Sequence, residues 1–241
     1  MFQLSWLSNM STPDDTSQTL SRLFAHARLI ESYMAGYMGI NSGCPVEQYI
    51  NCYPDEFLAL VCPDALKLSA AFIANEAGHE AFVGIHISQE FVQLLDAHAT
   101  LDTLLSSREG LNAFLILFEE ISHFHNYVLS AESNGKLSRF DLELQAEVDK
   151  VIIGSLALIG TFGRPHLNEL VHLLFNESII CCTLTDYALA SKLAEKFWKK
   201  NLHQLGSNML FDSRFRRLIQ EASRKSGEEK IMILETIIQA A

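Results

Sequence analysis

The chain has 241 residues and a formal net charge of −11, and hydrophobic residues make up 49% of it. This length and composition exclude a disordered or collagen-like protein and allow one or two domains with a sizeable core. The acidic balance argues against nucleic-acid binding, because phosphate contacts require a basic surface. No apolar run approaches the roughly 20 residues of a membrane helix, so we expect neither a nucleic-acid nor a membrane partner.

The cysteines indicate a reducing compartment. Their number is odd and no Cys-x-x-Cys pair occurs among them, the positions being Cys44, Cys52, Cys62, Cys181 and Cys182. We therefore expect reduced, mostly buried thiols and a cytoplasmic protein. Residues 1–9 lack the basic segment and the long apolar stretch of a signal peptide, and Met10 begins a segment typical of a translation start.

The first part of the chain is predicted to contain one helix and a small sheet. Apolar residues at helical spacing predict a helix over residues 16–40. Three short segments are predicted to pair as strands, at 57–62, 66–75 and 81–87, and the second of these also suits a helix. A hairpin turn is expected around Gly78, because the segment after it alternates apolar residues with others.

The chain after Ser88 is predicted to be helical. Ser88 caps a short helix that ends at Leu95, and a long helix over 111–130 is broken by Asn134 and Gly135.

A second long helix follows. Ser138 and Asp141 have the spacing of a capping box, and Gly160, Gly163 and Pro165 are expected to end the helix that this box opens. Further helices are predicted over 166–179, 183–204, 208–224 and 227–240.

These elements predict an α+β fold that is mostly α-helical, with a small sheet over about 56–87 followed by a helical bundle. We expect residues 10–160 to form an α+β region that contains both long helices. Residues 161–241 are expected to form a helical region packed on it, unless the two regions are a single domain.

The residues that could carry chemistry lie on the two long helices. Glu119 and His123 are four residues apart, and Glu120 and His123 are three apart, so these side chains share one flank of a helix. A carboxylate and an imidazole one turn apart can both reach a single cation at about 2 Å. The next helix carries Glu143 and Glu147, and two antiparallel helices joined by a short loop can present both groups to one point.

This spacing resembles the gluzincin branch of the zincin metallopeptidases. In that family His-Glu-x-x-His lies on one helix, and a third ligand, a Glu, lies on the next helix about twenty residues later. Here Glu119-Glu120-Ile-Ser-His123 is followed by Glu143, twenty residues after His123. The pattern is degenerate, because Glu119 stands where the family has its first histidine.

The resemblance implies zinc or another divalent metal held by Glu119, His123 and Glu143, with Glu147 supporting a ligand. It implies that Glu120 is the catalytic general base and that the strand over 81–87 holds an extended substrate. One histidine with two carboxylates makes an oxygen-rich site, which favours harder cations than a typical zinc site does. The sequence therefore leaves open an active metal-dependent hydrolase and an inactive pseudoenzyme.

Ordinary helix-face pairing is the alternative for these residues. Glu and His pairs at this spacing are common on solvated helices, where each contributes about 0.2–0.5 kcal/mol. Glu147 also has Lys150 three residues later, which predicts an ion pair.

Two further site hypotheses are weaker. The Glu-x-x-His pairs at Glu120/His123 and Glu169/His172 resemble a di-iron bundle, but the helix lengths place them at different depths. Cys44 with a distant histidine lacks any local signature of a nucleophile, and a structural thiol is the better interpretation.

A non-catalytic interaction protein is the second functional hypothesis. Residues 192–230 carry ten basic side chains against five acidic ones, which predicts a basic helical surface. The segment 231–238 holds too many apolar residues for one exposed helix. We expect this segment to pack either on the body of the protein or on another subunit, and a homodimer or a protein or peptide partner is the corresponding interaction hypothesis.

Overall fold

The structure is a computed structural model, and it confirms a mostly α-helical α+β fold. The described residues are 14–51, 54–77, 80–98, 100–133, 137–163, 167–172, 174–175, 185–201, 212–225 and 227–239. They divide into two compact units: unit 1 is 1–32 with 42–135, and unit 2 is 33–41 with 136–241. The second long helix thus groups with the C-terminal helices, and the division predicted near residue 160 stays a prediction.

The described ranges contain ten α-helices and one two-stranded antiparallel sheet. The helices are α1 (Asp14–Tyr33), α2 (Asp55–Val61), α3 (Gln89–Asp96), α4 (Leu101–Leu105), α5 (Arg108–Glu132), α6 (Arg139–Phe162), α7 (Leu167–His172), α8 (Thr185–Asn201), α9 (Ser213–Ala222) and α10 (Gly227–Gln239). The strands are β1 (Ala70–Ala77) and β2 (Glu80–Ile87). Within the described segments, no helix is both long and apolar enough to cross a bilayer.

The first helix is confirmed, although its last turn differs from the rest. After α1 the backbone continues as one π-helical turn over Met34–Met38. Gly39 then adopts a left-handed conformation, with φ +71°, and its N–H donates to the carbonyl of Met34. Glycine occupies such a C-terminal position without the steric cost that other residues incur.

The strand predicted over 57–62 is wrong, because that segment forms α2. Pro54 precedes the helix, and Asp55 and Glu56 lie in its first turn, where carboxylates favour a helix N-terminus. Only Leu58 is fully buried, while Leu60 is 84% exposed, so the apolar run does not form a buried strand. The run was too short to distinguish a strand from a helix by periodicity.

The hairpin of β1 and β2 is confirmed as the predicted pairing of the second and third segments. Ala70 pairs with Ile87 at one end, and Ala77 pairs with Glu80 at the other. The predicted turn at Gly78 lies outside the described residues. The segment predicted to begin at residue 66 starts with a 3₁₀ turn and becomes a strand only at Ala70.

The outer edge of β2 is covered by the segment around Asn51. The N–H of Ile85 donates to the carbonyl of Tyr49 at 2.9 Å, and the N–H of Asn51 donates to the carbonyl of Ile85 at 2.8 Å. Asn51 has φ +48°, which asparagine tolerates better than most residues. Its side-chain amide exchanges two hydrogen bonds with the backbone of Ile87, at 3.1 and 2.7 Å. This β2 edge is therefore closed to further strand pairing.

Helix α5 is the central element of unit 1 and contacts both strands. It begins at the Ser107 cap, whose hydroxyl accepts from the N–H of Gly110 at 2.9 Å. A Cβ atom at Gly110 would lie 1.9 Å from the carbonyl oxygen of Leu104, so α4 packs here only against glycine. The fully buried face of α5 consists of Phe114, Leu117, Phe118, Ile121 and Phe124. The predicted break at residues 134 and 135 lies outside the described residues.

The predicted caps are confirmed. The Ser88 hydroxyl accepts from the N–H of Phe91, and Ser138 with Asp141 forms a capping box at the start of α6. Helix α6 continues through Gly160 and ends at Phe162, where Gly163 caps it with φ +71°.

The C-terminal helices follow the predicted order in unit 2. The predicted stop at Pro165, the end of the helix predicted over 166–179 and the start of the one predicted over 208–224 lie outside the described residues. Cys44 and Cys62 are free and half-buried, and the other three cysteines lie outside the described residues as well.

A buried ion pair joins α10 to α6 in unit 2. Lys230 Nζ lies 2.6 Å from Asp149 Oδ1, and both side chains are fully buried. The side-chain amide of Gln145 donates to Asp149 Oδ2 at 2.9 Å. Burial lowers the pKa of Lys230 and raises that of Asp149, while the charge of each partner opposes that effect. Lys230 is therefore not part of the basic surface predicted over 192–230.

Replacing Lys230 by methionine should destabilise the protein by about 3–5 kcal/mol at neutral pH, because Asp149 is left as an uncompensated buried carboxylate. Without its partner, folded Asp149 holds its proton to higher pH than the unfolded chain does. The free energy of unfolding of Lys230→Met should therefore fall as pH rises from about 4. The loss relative to the wild type should be smaller at pH 5 than at pH 8. Urea unfolding at both pH values measures this.

The matched control is Lys199→Met, which breaks the exposed ion pair with Glu195 and should cost less than about 1 kcal/mol. A double replacement, Lys230→Met with Asp149→Leu, should recover most of the loss, because no buried charge remains. Equal losses for Lys230→Met and Lys199→Met would contradict the assignment of the buried pair.

Candidate metal centre

Two of the predicted ligands lie on α5 in unit 1. Glu119 is 9% exposed and His123 is 6% exposed, and one helical turn separates them. These positions do not form the solvated helix face that ordinary pairing would predict. Because burying an ionised carboxylate costs free energy unless a partner compensates it, each such side chain requires polar or charged contacts.

Glu120 binds the backbone of the adjacent strand. Its Oε2 atom accepts a hydrogen bond from the N–H of Phe72 on β1. Phe72 pairs with Ile85 in the hairpin, but the N–H and carbonyl of Ile85 bond to Tyr49 and Asn51 on the other side of β2. In an antiparallel pair, two opposite residues direct their backbone groups the same way, either both toward each other or both away. The N–H of Phe72 therefore points away from β2. The same Oε2 lies 3.7 Å from His123 Nδ1, which is too long for a hydrogen bond. Glu120 therefore closes one position on the outer edge of β1.

The ring of Phe72 on β1 lies between those of His123 and Tyr127 in a chain of aromatic contacts. The ring of Phe72 lies 6.2 Å from that of His123 and 5.6 Å from that of Tyr127. The Tyr127 hydroxyl donates to Glu76 Oε1 at 2.8 Å. Burial, with a further contribution from the bond to Glu76, raises the pKa of Tyr127 to about 12. Both strands contact α5, and Phe72 of β1 contacts Glu120 and His123.

The predicted acidic residues of unit 2 lie on α6 and are both buried. Glu143 is 7% exposed, and its Oε1 lies 3.6 Å from Arg139 Nε, one turn earlier on the helix. Glu147 is 2% exposed and binds Lys150, with 2.5 Å between Oε1 and Nζ. Glu147 thus forms the ion pair that its spacing from Lys150 predicts, and that pair is buried rather than solvated.

Glu119, His123 and Glu143 are the described residues that could hold a metal ion, since each is buried and offers one ligand atom. Two carboxylate oxygens and one imidazole nitrogen suit divalent cations such as Zn²⁺, Mn²⁺ or Fe²⁺.

The second Glu-x-x-His pair of the di-iron interpretation, Glu169 and His172, adds no described ligand to this group. His172, from the di-iron interpretation, is exposed, and the side chain of Glu169 lies outside the described residues. His86 on β2 is buried, and burial lowers the pKa of its imidazole.

One polar cluster of unit 1 has no counterpart in the sequence predictions. His125, two residues after His123, bonds to Ser42 through one ring nitrogen and to Glu31 through the other. The partners are 83 and 94 residues away in the chain, so no local spacing signals them. Cys44, considered above as a nucleophile, contributes its backbone N–H to this cluster.

The chain matches no protein-family model, no curated protein and no solved structure. Its function is therefore inferred from the chemistry of its side chains.

Replacing Glu120 by alanine should destabilise the protein by about 1–3 kcal/mol, because the N–H of Phe72 loses its acceptor. Glu120→Gln should cost much less, since the amide oxygen can still accept that bond. Urea unfolding of both variants measures the difference, with Glu132→Ala at the exposed end of α5 as the control. Equal losses for the alanine and glutamine variants would show that the carboxylate charge, and not the hydrogen bond, is what matters.

Proposed function

We propose that this protein binds a divalent metal ion through Glu119, His123 and Glu143, which we call the metal ligand set. The observation that carries the proposal is the burial of all three side chains, two of which are acidic. A bound cation offsets the cost of burying two carboxylates, and the imidazole adds a nitrogen ligand that suits the same ions.

Glu143 is the proposed third ligand rather than Glu147. Glu143 has the spacing from His123 that the resemblance to gluzincins requires. It pairs with Arg139, whose side chain is 58% exposed. Glu147 instead binds Lys150 inside unit 2, where both side chains are nearly inaccessible. Releasing Glu147 would leave a buried lysine without that partner, at a cost of several kcal/mol.

The ligand set is richer in oxygen than a typical zinc site. Carboxylates suit harder cations such as Mn²⁺, while imidazole suits Zn²⁺ and Fe²⁺. We therefore propose Zn²⁺ or Mn²⁺ as the bound ion, with no sulfur ligand.

Hydrolysis is the finer part of the proposal. A metal ion in such a site supplies an activated water. Glu120 is the candidate general base, because it lies one residue from Glu119 and one turn from His123. Its Oε2 atom is engaged by the N–H of Phe72, so Oε1 is the atom that would accept the proton.

A non-catalytic interaction protein is the second candidate function. The bond from Phe72 to Glu120 favours it, because that bond gives Glu120 a structural role that requires no substrate. In unit 2, α8 and α10 expose Leu189 at 51% and Met232 at 64%, which suits a protein or peptide partner or a homodimer. Under either function, we propose the cytoplasm as the compartment.

Purified, untagged protein dialysed against Zn²⁺ or Mn²⁺ should retain about one ion per chain, as measured by inductively coupled plasma mass spectrometry. His123→Ala and Glu143→Gln should each lower the metal affinity by at least tenfold, because each removes one ligand. Glu119→His should strengthen zinc binding. Glu120→Gln should keep the metal and lose any peptidase activity, since a general base is not a ligand.

The matched controls are His172→Ala and Glu132→Gln, which change exposed residues of the same types and should leave the metal content unchanged. Metal loading should also raise the melting temperature of the wild type, because a ligand bound to the native state stabilises it. If the wild type retains no stoichiometric metal and Glu119→His gains none, the metal proposal fails. Light scattering of the same samples then tests the homodimer.

A further inference from the structure

We propose that Ser42 is a nucleophile, activated by His125 and Glu31, that accepts an acyl group from a carboxylic ester. All three residues belong to unit 1, and none belongs to the metal ligand set. Ser42 Oγ lies 2.8 Å from His125 Nδ1, and Nε2 of the same ring lies 3.0 Å from Glu31 Oε1. A hydroxyl, an imidazole and an orienting carboxylate within hydrogen-bond reach form the geometric signature of an activated serine, whatever their order in the chain.

The proposed reaction requires one arrangement of the protons in this cluster. A carboxylate only accepts hydrogen bonds, so in this arrangement His125 Nε2 carries the ring proton and donates it to Glu31. Nδ1 then carries the lone pair that accepts the Ser42 proton across the 2.8 Å between the two atoms. Ser42 Oγ also accepts from the N–H of Cys44 at 3.3 Å.

The imidazole is held from two sides. Glu31 Oε1 also accepts from the N–H of Val46 at 3.0 Å, so the carboxylate is itself fixed by the loop that carries Ser42. The ring of Phe124 lies 5.2 Å from that of His125 in an edge-on arrangement. The side chain of His125 is only 4% exposed. Such support keeps a catalytic base in one orientation.

The backbone leaves space at Gly43, the residue after Ser42. Gly43 follows it with φ +71°, a left-handed conformation that favours glycine, and this residue is exposed. A Cβ atom built on Gly43 would meet no atom within 4 Å. Ser42 itself is 9% exposed and belongs to the buried polar residues. The proposal therefore requires an acyl group to reach Oγ from the side of the exposed Gly43.

The proposed reaction has two balanced halves. Ser42 Oγ forms a bond to the acyl carbon while its proton moves to His125 Nδ1. The bond from that carbon to the ester oxygen breaks, and the leaving alcohol takes the proton from His125. Water then repeats the sequence, which releases the carboxylic acid and restores the Ser42 hydroxyl.

The test is covalent labelling of the full chain with a fluorophosphonate probe, followed by peptide mass spectrometry, with p-nitrophenyl acetate as the ester substrate. The wild type should carry one adduct at Ser42, and Ser42→Ala should carry none. His125→Asn should lower the labelling rate and the ester hydrolysis rate at least 100-fold, and Glu31→Gln should lower both as well. Chelation by EDTA should leave labelling unchanged, which separates this proposal from the metal proposal.

Ser106→Ala is the matched control. Ser106 is an exposed serine whose hydroxyl donates to the backbone carbonyl of Asp102, one turn earlier. It should label like the wild type. Absence of an adduct at Ser42 in the wild type, or an unchanged labelling rate in His125→Asn, overturns the proposal. The three side chains would then serve only to clamp residues 42–46, and their replacement would lower the melting temperature without affecting any adduct.

Discussion

The burial of ionisable side chains along α5 and α6 is the constraint on which the candidate sites depend. Removing an ionised group from water costs several kcal/mol, and only a well-placed partner recovers it. In unit 2, Lys150 compensates Glu147, and Lys230 compensates Asp149. In the proposed metal centre, a cation would add to the compensation of Glu119 and Glu143 in the same way.

The geometry of α5 explains how one helix can serve two proposed sites. His123 and His125 are two residues apart, which separates their directions by about 200° around a helix. His123 lies beside Glu120 and Phe72, whereas His125 faces Ser42 and Glu31. The two imidazoles therefore have separate polar surroundings, and chemistry proposed for one does not require the other.

Local signals made most of the fold predictable, and distant contacts account for most of what was missed. The caps at Ser88 and Ser138 lie within three residues of their partners, so they were readable from sequence. The segment 57–62 is a short apolar run without periodicity, and its assignment as a strand was wrong. Lys230 looked like a surface base because its partner Asp149 is 81 residues away. The Glu119–His123 spacing identified candidate ligands, but no spacing could reveal the contacts of His125.

X-ray absorption of the zinc-loaded wild type tests the central claim most directly, because it reports which atoms lie nearest the ion. Only nitrogen and oxygen neighbours at about 2.0–2.2 Å are expected, with the scattering pattern of a single imidazole and no sulfur at about 2.3 Å. That imidazole pattern should disappear in His123→Ala. A spectrum with sulfur, with several imidazoles, or with the same imidazole pattern in His123→Ala would contradict the proposed metal centre.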